Sequence, residues 1–309
     1  MAIGIDPTVD YAFKLLLGSP KHPAITLHFL NAILGPEIKI TDVEILNPIL
    51  GKQEDMGKLS ILDVLARDSD GRRYDIEMQT SLPANLAQRL TYYTASLYVG
   101  QIGESDNYTI LRPAISICVL DAIMFHQSPL IQNDFRLRSR DGDLDLTDGL
   151  QIHFLELPKY VVPSDNRVIT DPIEAWLYFF RQADEMTTQE IEQRFDSPAF
   201  TEAALVLDMI QRTPQERTQY ELRLKAQRDE RARLQHAQAE GEAIGEARGE
   251  ARGEARGEAR GEARGEAKGV IKALRDVLGL ESSSLDGLSL EQLEQLASDL
   301  QRQVRERDV

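Results

Sequence analysis

The sequence predicts an α/β protein: a mixed central sheet enclosed by helices, then a long helical arm and a small all-α C-terminal domain. Three observations carry this reading. Short apolar runs rich in β-branched residues, with "AISICVL" (114–120) the most apolar, lie between stretches that repeat apolar residues at i, i+3 and i+4. From about Pro214 a long glycine-free stretch is dominated by charged helix formers. A four-residue repeat, "GEAR", then runs into a final segment with amphipathic helical spacing.

Taken in order, "DYAFKLLLG" and "AITLHFLNAIL" read as two helices broken by Gly18-Ser19-Pro20. Strands follow at 39–50, 58–68 and 72–81, the last two joined by Ser69-Asp70-Gly71. After Pro83 an amphipathic helix puts Leu86, Leu90, Tyr93 and Leu97 on one face. "AISICVLDAI" reads as a central strand and "LQIHFLELPK" as another. Three helical stretches run from Asp171 to about Arg212. The domains expected are 1–210 for the α/β unit, 211–269 for the charged helix and repeat, and 270–309 for the terminal pair of helices. Ser289 and Gln292 form a candidate capping box for the second of that pair.

The repeat argues against an isolated helix. Eight glycines, at every fourth position from 241 to 269, cost about 6–8 kcal/mol of helix propensity relative to alanine. The segment therefore either frays as a flexible linker or is stabilised by a close neighbour, as in an oligomer.

Composition narrows the function. The chain of 309 residues carries a formal net charge of −16, and residues 1–200 hold 29 Asp and Glu against 17 Lys and Arg. That balance argues against a protein that coats a phosphate backbone. It is compatible with a metal-dependent nuclease, where a cation offsets charge where phosphate meets carboxylate. The single cysteine, Cys118, can form no internal disulfide. The N-terminus lacks a basic stretch followed by an apolar run, and the longest apolar segment is too short to span a membrane. The expectation is a cytoplasmic protein with no membrane partner.

Chemistry concentrates in "ILDVLARDSDGRRYDIEMQT" (61–80). If Ser69-Asp70-Gly71 is a three-residue loop with glycine in the left-handed region, paired residue numbers sum to 140 and Asp63 lies opposite Glu77. Glu77 and Gln79 then share a face with Asp63. Directly opposed β carbons stand ~5 Å apart, so two carboxylates there would repel unless a cation lies between them. Hard divalent ions such as Mg²⁺ take oxygen ligands and leave room for water and phosphate.

The Asp–(13 residues)–Glu-x-Gln pattern on a hairpin resembles the PD-(D/E)xK nuclease superfamily. With "DYAFKLLLG", "HFLNAILG", "QRLTYYTASLY" and "IHFLELPKY" in order, residues 5–165 resemble the Rpn family of recombination-promoting nucleases and putative transposases. The resemblance implies a restriction-endonuclease-like core and Mg²⁺-dependent, or Mn²⁺-dependent, hydrolysis of DNA phosphodiesters that promotes recombination or acts on foreign DNA. It implies Asp63, Glu77 and the Met78 carbonyl as metal ligands, with Gln79 in the place of the superfamily lysine. Lys14 falls at the family's "FK" position and is a catalytic candidate; its other role is as a partner for Asp10. Glutamine orients water but cannot act as a base.

Weaker candidates are Arg89 and Tyr92, which could face the cleft, Asp75 on the face of Glu77, and Glu156 as a support for the site. His126 and His153 have no partner at zinc-ligand spacing. Double-strand cutting would favour a homo-oligomer formed through the helical arm. The alternative function is a catalytically decayed nuclease fold acting as an oligomerising interaction protein; the missing lysine and the acidic first domain favour it.

Overall fold

A computed structural model of the chain describes residues 1–46, 62–281 and 283–307. The chain divides into two compact units, Met1–Ala232 and Arg233–Val309. The first is built on six strands, β1 (Val43–Ile45), β2 (Val64–Asp68), β3 (Arg73–Gln79), β4 (Ala114–Leu120), β5 (Gln132–Arg138) and β6 (Asp145–Glu156). Their order across the sheet is β1-β2-β3-β4-β6-β5. The β3–β4 and β4–β6 pairs are parallel and the other three antiparallel, so the sheet is mixed as predicted. The parts of the expected strands at 47–50 and 58–61 lie outside the described residues.

Helices α1 (Asp10–Leu17), α2 (Pro23–Leu34), α4 (Pro172–Gln182), α5 (Thr188–Arg194) and α6 (Pro198–Arg212) pack into one large core, and α3 (Leu86–Val99) makes a second, smaller one. β4 shows why its run is uniformly apolar. Ile115, Ile117 and Val119 enter the large core, whereas Cys118 and Leu120 meet Leu86 and Leu90 of α3. A strand covered on both faces has no solvent side to make polar. α3 is the crossover that the parallel β3–β4 pair requires.

Two elements depart from the expectation. β5 is a strand that the sequence pattern does not mark, and β6 begins at Asp145 rather than in "LQIHF". "QNDFRLR" is a partly to fully exposed edge strand, so it carries no inside–outside alternation to read. The repeat is helical throughout, within α7 (Pro214–Leu278). Its glycines face open space, with no atom beyond their own helix within 4 Å of where a β carbon would stand. Close packing at those glycines within one chain therefore does not offset their propensity cost.

In the second unit Ile271, Leu293 and Leu300 form a small core between the end of α7 and α8 (Leu290–Arg307). The capping box is present: Gln292 N–H donates to Ser289 Oγ at 3.2 Å, and Ser289 N–H to Gln292 Oε1 at 2.8 Å. Among the described residues no helix is long and apolar enough to cross a membrane.

Candidate active site

The site grows from the β2–β3 hairpin. Gly71 has φ +86°, a left-handed value that costs other residues strain. Asp68 fixes the turn: Oδ1 accepts from the N–H groups of Asp70 (3.0 Å) and Arg72 (2.9 Å), and Oδ2 from Tyr74 OH (2.7 Å) and Arg72 Nη1 (3.0 Å). The resulting pairs, Val64↔Ile76 through Arg67↔Arg73, have the predicted register. Continued by one residue, that register places Asp63 against Glu77, and the two are joined there. Asp63 N–H donates to Glu77 Oε1 at 3.2 Å, and Met78 N–H to Asp63 Oδ2 at 3.1 Å.

Strand alternation then sorts β3. Tyr74, Ile76 and Met78 belong to the large core, so Asp75, Glu77 and Gln79 take the opposite face, toward α3. Asp75 is fully buried and Glu77 is 3% exposed, so neither is an ordinary surface acid. Ser116 of β4 donates to Asp75 Oδ2 at 3.0 Å and lies 2.8 Å from the Thr94 hydroxyl of α3. Asp75 Oδ1 is buried with no hydrogen-bond partner. Gln79 Nε2 donates to Glu77 Oε2 at 3.2 Å, holding the carboxylate.

Lys14 reaches this cluster from α1. Its ammonium is 3.0 Å from Asp63 Oδ1 and 2.7 Å from Asp10 Oδ1, so it pairs with Asp10 and reaches the Asp63 carboxylate at once. Burial works to lower the Lys14 pKa, but the charges of Asp63 and Asp10 more than offset this and hold it above the ordinary lysine value. Burial, reinforced by the neighbouring carboxylates Asp63 and Asp75, pushes Glu77 up to about 10. Burial likewise pushes Asp75 up to about 7, against the hydrogen bond from Ser116. Asp63 is also raised, by burial against the pull of Lys14. Arg89 on α3 lends its charge to Glu77, Asp75 and Tyr93, and its Nε is buried without a hydrogen-bond partner. Tyr92 is 51% exposed and its ring meets Tyr93 edge-on, so it does not share Arg89's inward position.

Glu156 has a different task from the one expected. It is fully buried and accepts from Met124 N–H (2.6 Å), Phe125 N–H (3.0 Å), Asn133 Nδ2 (3.2 Å) and Lys159 Nζ (2.5 Å). Lys159 in turn donates to the carbonyls of Phe125, Ser128 and Leu130. The pair clasps the segment between β4 and β5.

The donor set suits a hard divalent cation. Glu77 Oε1 accepts from the Asp63 backbone N–H, burial raises the pKa of both acids, the Asp63 charge raises Glu77 further, and a positive charge is already drawn to Asp63. Among the described residues no three His, Cys, Asp or Glu side chains converge in a ligand cluster. An ion here would complete its shell with backbone oxygen, water or phosphate, which is how Mg²⁺ is commonly held.

A family model described as "PD-(D/E)XK nuclease family transposase" matches residues 7–237. No curated protein and no solved structure matches the chain.

Proposed function

The chain belongs to the PD-(D/E)XK nuclease family transposases, and from that premise we propose that it is a metal-dependent deoxyribonuclease acting in recombination or on foreign DNA. The observation that carries this reading is the buried Asp63–Glu77 contact, set by the hairpin register and bridged to Lys14. Asp63, Glu77 and the Met78 carbonyl would hold Mg²⁺ or Mn²⁺. When bound, such an ion polarises the phosphate and lowers the pKa of its water.

The other roles belong to the chain itself. Gln79 keeps Glu77 oriented through its amide, a positioning role that the superfamily lysine does not need to fill here. Lys14 supplies the missing ammonium. Because its neighbours keep it protonated, it serves as a charge stabiliser for the phosphate in the transition state and not as a base. In this reading the partners are DNA and further copies of the chain joined through the arm, the setting is the cytoplasm, and the functional divisions are 1–210, 211–269 and 270–309.

Plasmid cleavage with Mg²⁺ or Mn²⁺, beside EDTA, tests the proposal. Asp63→Ala and Glu77→Ala should abolish cleavage. Lys14→Met should lower the rate by about 10²–10³, the scale of losing one charge-stabilising donor. Cleavage that survives in Asp63→Ala would overturn the assignment. The second reading, a fold without the chemistry, rests on glutamine at position 79. It predicts no cleavage and no thermal shift with either metal.

A further inference from the structure

The chain leaves α6 and enters α7 beside this site, and the first turns of α7 make contacts that a plain linker would not need. The Tyr11 hydroxyl bonds Glu216, and Asp6 N–H donates to Tyr220 OH at 3.0 Å. Arg223 lies 3.9 Å from Asp10 Oδ2 and Arg231 3.8 Å from Asp121 Oδ2. Residues 216, 220, 223, 227 and 231 recur at steps of three and four, so they form one helix face.

Arg223, Gln227 and Arg231 of that face, with Glu230 beside them, line a groove of about 200 Å³ whose other walls include Asp10, Met78, Thr80 and Ser81. The groove therefore shares two residues with the site. Asp10 is the second partner of Lys14, and the Met78 peptide hydrogen-bonds Asp63. It runs past the carboxyl end of β3, where open α/β sheets bind their ligands. Asp121, which Arg231 faces, begins the segment after β4, and its N–H donates to the Gln79 carbonyl at 2.9 Å. α7 thus touches two residues that adjoin the site, Asp10 and Asp121.

We infer that this face of α7 is a phosphate track, in which Arg223 and Arg231 hold the DNA backbone on either side of the scissile phosphate. The inference rests on the nuclease reading and names where such an enzyme takes its substrate. Both arginine side chains are more than half exposed, at 60% and 54%. Their carboxylate contacts are near the outer limit of an ion pair and worth little in water. A phosphate with its sharper charge can displace such contacts, and the guanidinium fork suits its oxygens. Eight residues apart, the two arginines stand about 12 Å apart along the helix, so they address separate phosphates. Gln227 lies between them on the same face and lines the groove. The acids in and beside the groove, Asp10 and Glu230 among them, explain why the track needs cations: an acidic domain must offer its few positive charges where backbone and metal meet.

The test is the salt dependence of binding by the full-length protein. Fluorescein-labelled single- and double-stranded DNA oligonucleotides are titrated by anisotropy at several KCl concentrations, with Ca²⁺ in place of Mg²⁺ to suppress cleavage. Each of Arg223→Gln and Arg231→Gln should weaken binding, and should reduce the slope of log K against log [salt] by about 1 on duplex. The double variant should lose about 2, and the lysine variants should restore the slope. Melting temperature, followed in parallel, should stay near wild type, since the contacts removed are exposed. Wild-type binding with unchanged slopes in both glutamine variants would overturn the phosphate track and leave the nuclease reading standing. A wild type that binds neither oligonucleotide would overturn both.

Discussion

Three carboxyl groups within one hairpin, Asp63, Asp75 and Glu77, are buried together, and burial raises the pKa of each. In the metal-free protein at neutral pH this cluster retains protons that the unfolded chain, with carboxylates near ~4, has already released. The folded state then binds more protons than the unfolded state, so the sign of the linkage is fixed. Stability contributed by these groups is full below about pH 4 and falls as pH rises through the Asp75 value of about 7 toward that of Glu77. Each group contributes up to about 1.4 kcal/mol per pH unit in its own window. A divalent ion bound between Asp63 and Glu77 would displace those protons, so its affinity should rise with pH. Thermal melts from pH 5 to pH 9, with EDTA and with Mn²⁺, check this. The EDTA series should decline with pH in the wild type and flatten in Glu77→Gln, while the Mn²⁺ stabilisation should grow with pH. A pH-independent metal shift would remove the carboxyl pair from the metal site. Asp63, Glu77 and Gln79 were legible in the sequence because one short loop fixes their register. Lys14 is a candidate only through the family's "FK" position; its contact with Asp63 is not legible from spacing, because a helix lysine beside Asp10 has a sufficient local partner.

At the scale of elements, polar residues in apolar runs mark two different devices. In β3 the acids face α3 and form the candidate site. In β6 Glu156 ends a buried strand and holds the connection to β5 in place with Lys159. Sequence pattern cannot separate these cases, since each is an acid inside an apolar stretch; only the long-range partner decides. The Glu156–Lys159 pair is almost fully buried, with side chains 0% and 10% exposed. Removing one member of such a pair leaves the other charge without its counterion, at a cost of about 3–5 kcal/mol. Glu156→Ala should therefore lower the urea midpoint substantially, and Glu156→Gln should recover part of the loss by keeping some of the hydrogen bonds. A Glu156→Ala variant as stable as wild type but with weakened metal binding would return this residue to the site. The edge strand β5 escaped the sequence reading for a related reason: with little buried on either face, it has no period of two to detect.

For the whole molecule, the open question is why a catalytic unit carries α7 and a second small unit. Sequence reading found the repeat but could not choose between a linker and an assembling helix, because propensity and context oppose each other there. The chain forms the helix despite eight glycines, and the glycine surface meets no neighbour within 4 Å in a single copy. A second copy of the arm could cover that small-residue surface at close approach and offset the propensity cost. Pairing two copies would also give the enzyme two cleavage centres, as breaking both strands of a duplex favours. A chain ending at Glu240 keeps all of the first unit, Met1–Ala232, together with the two arginines of the groove. It should sediment as a monomer where the full chain does not, and should still nick supercoiled plasmid while producing far less linear product. If both proteins sediment alike, the arm does not assemble the molecule. Equal linear product from the truncated chain would place the second cut within a single copy acting twice.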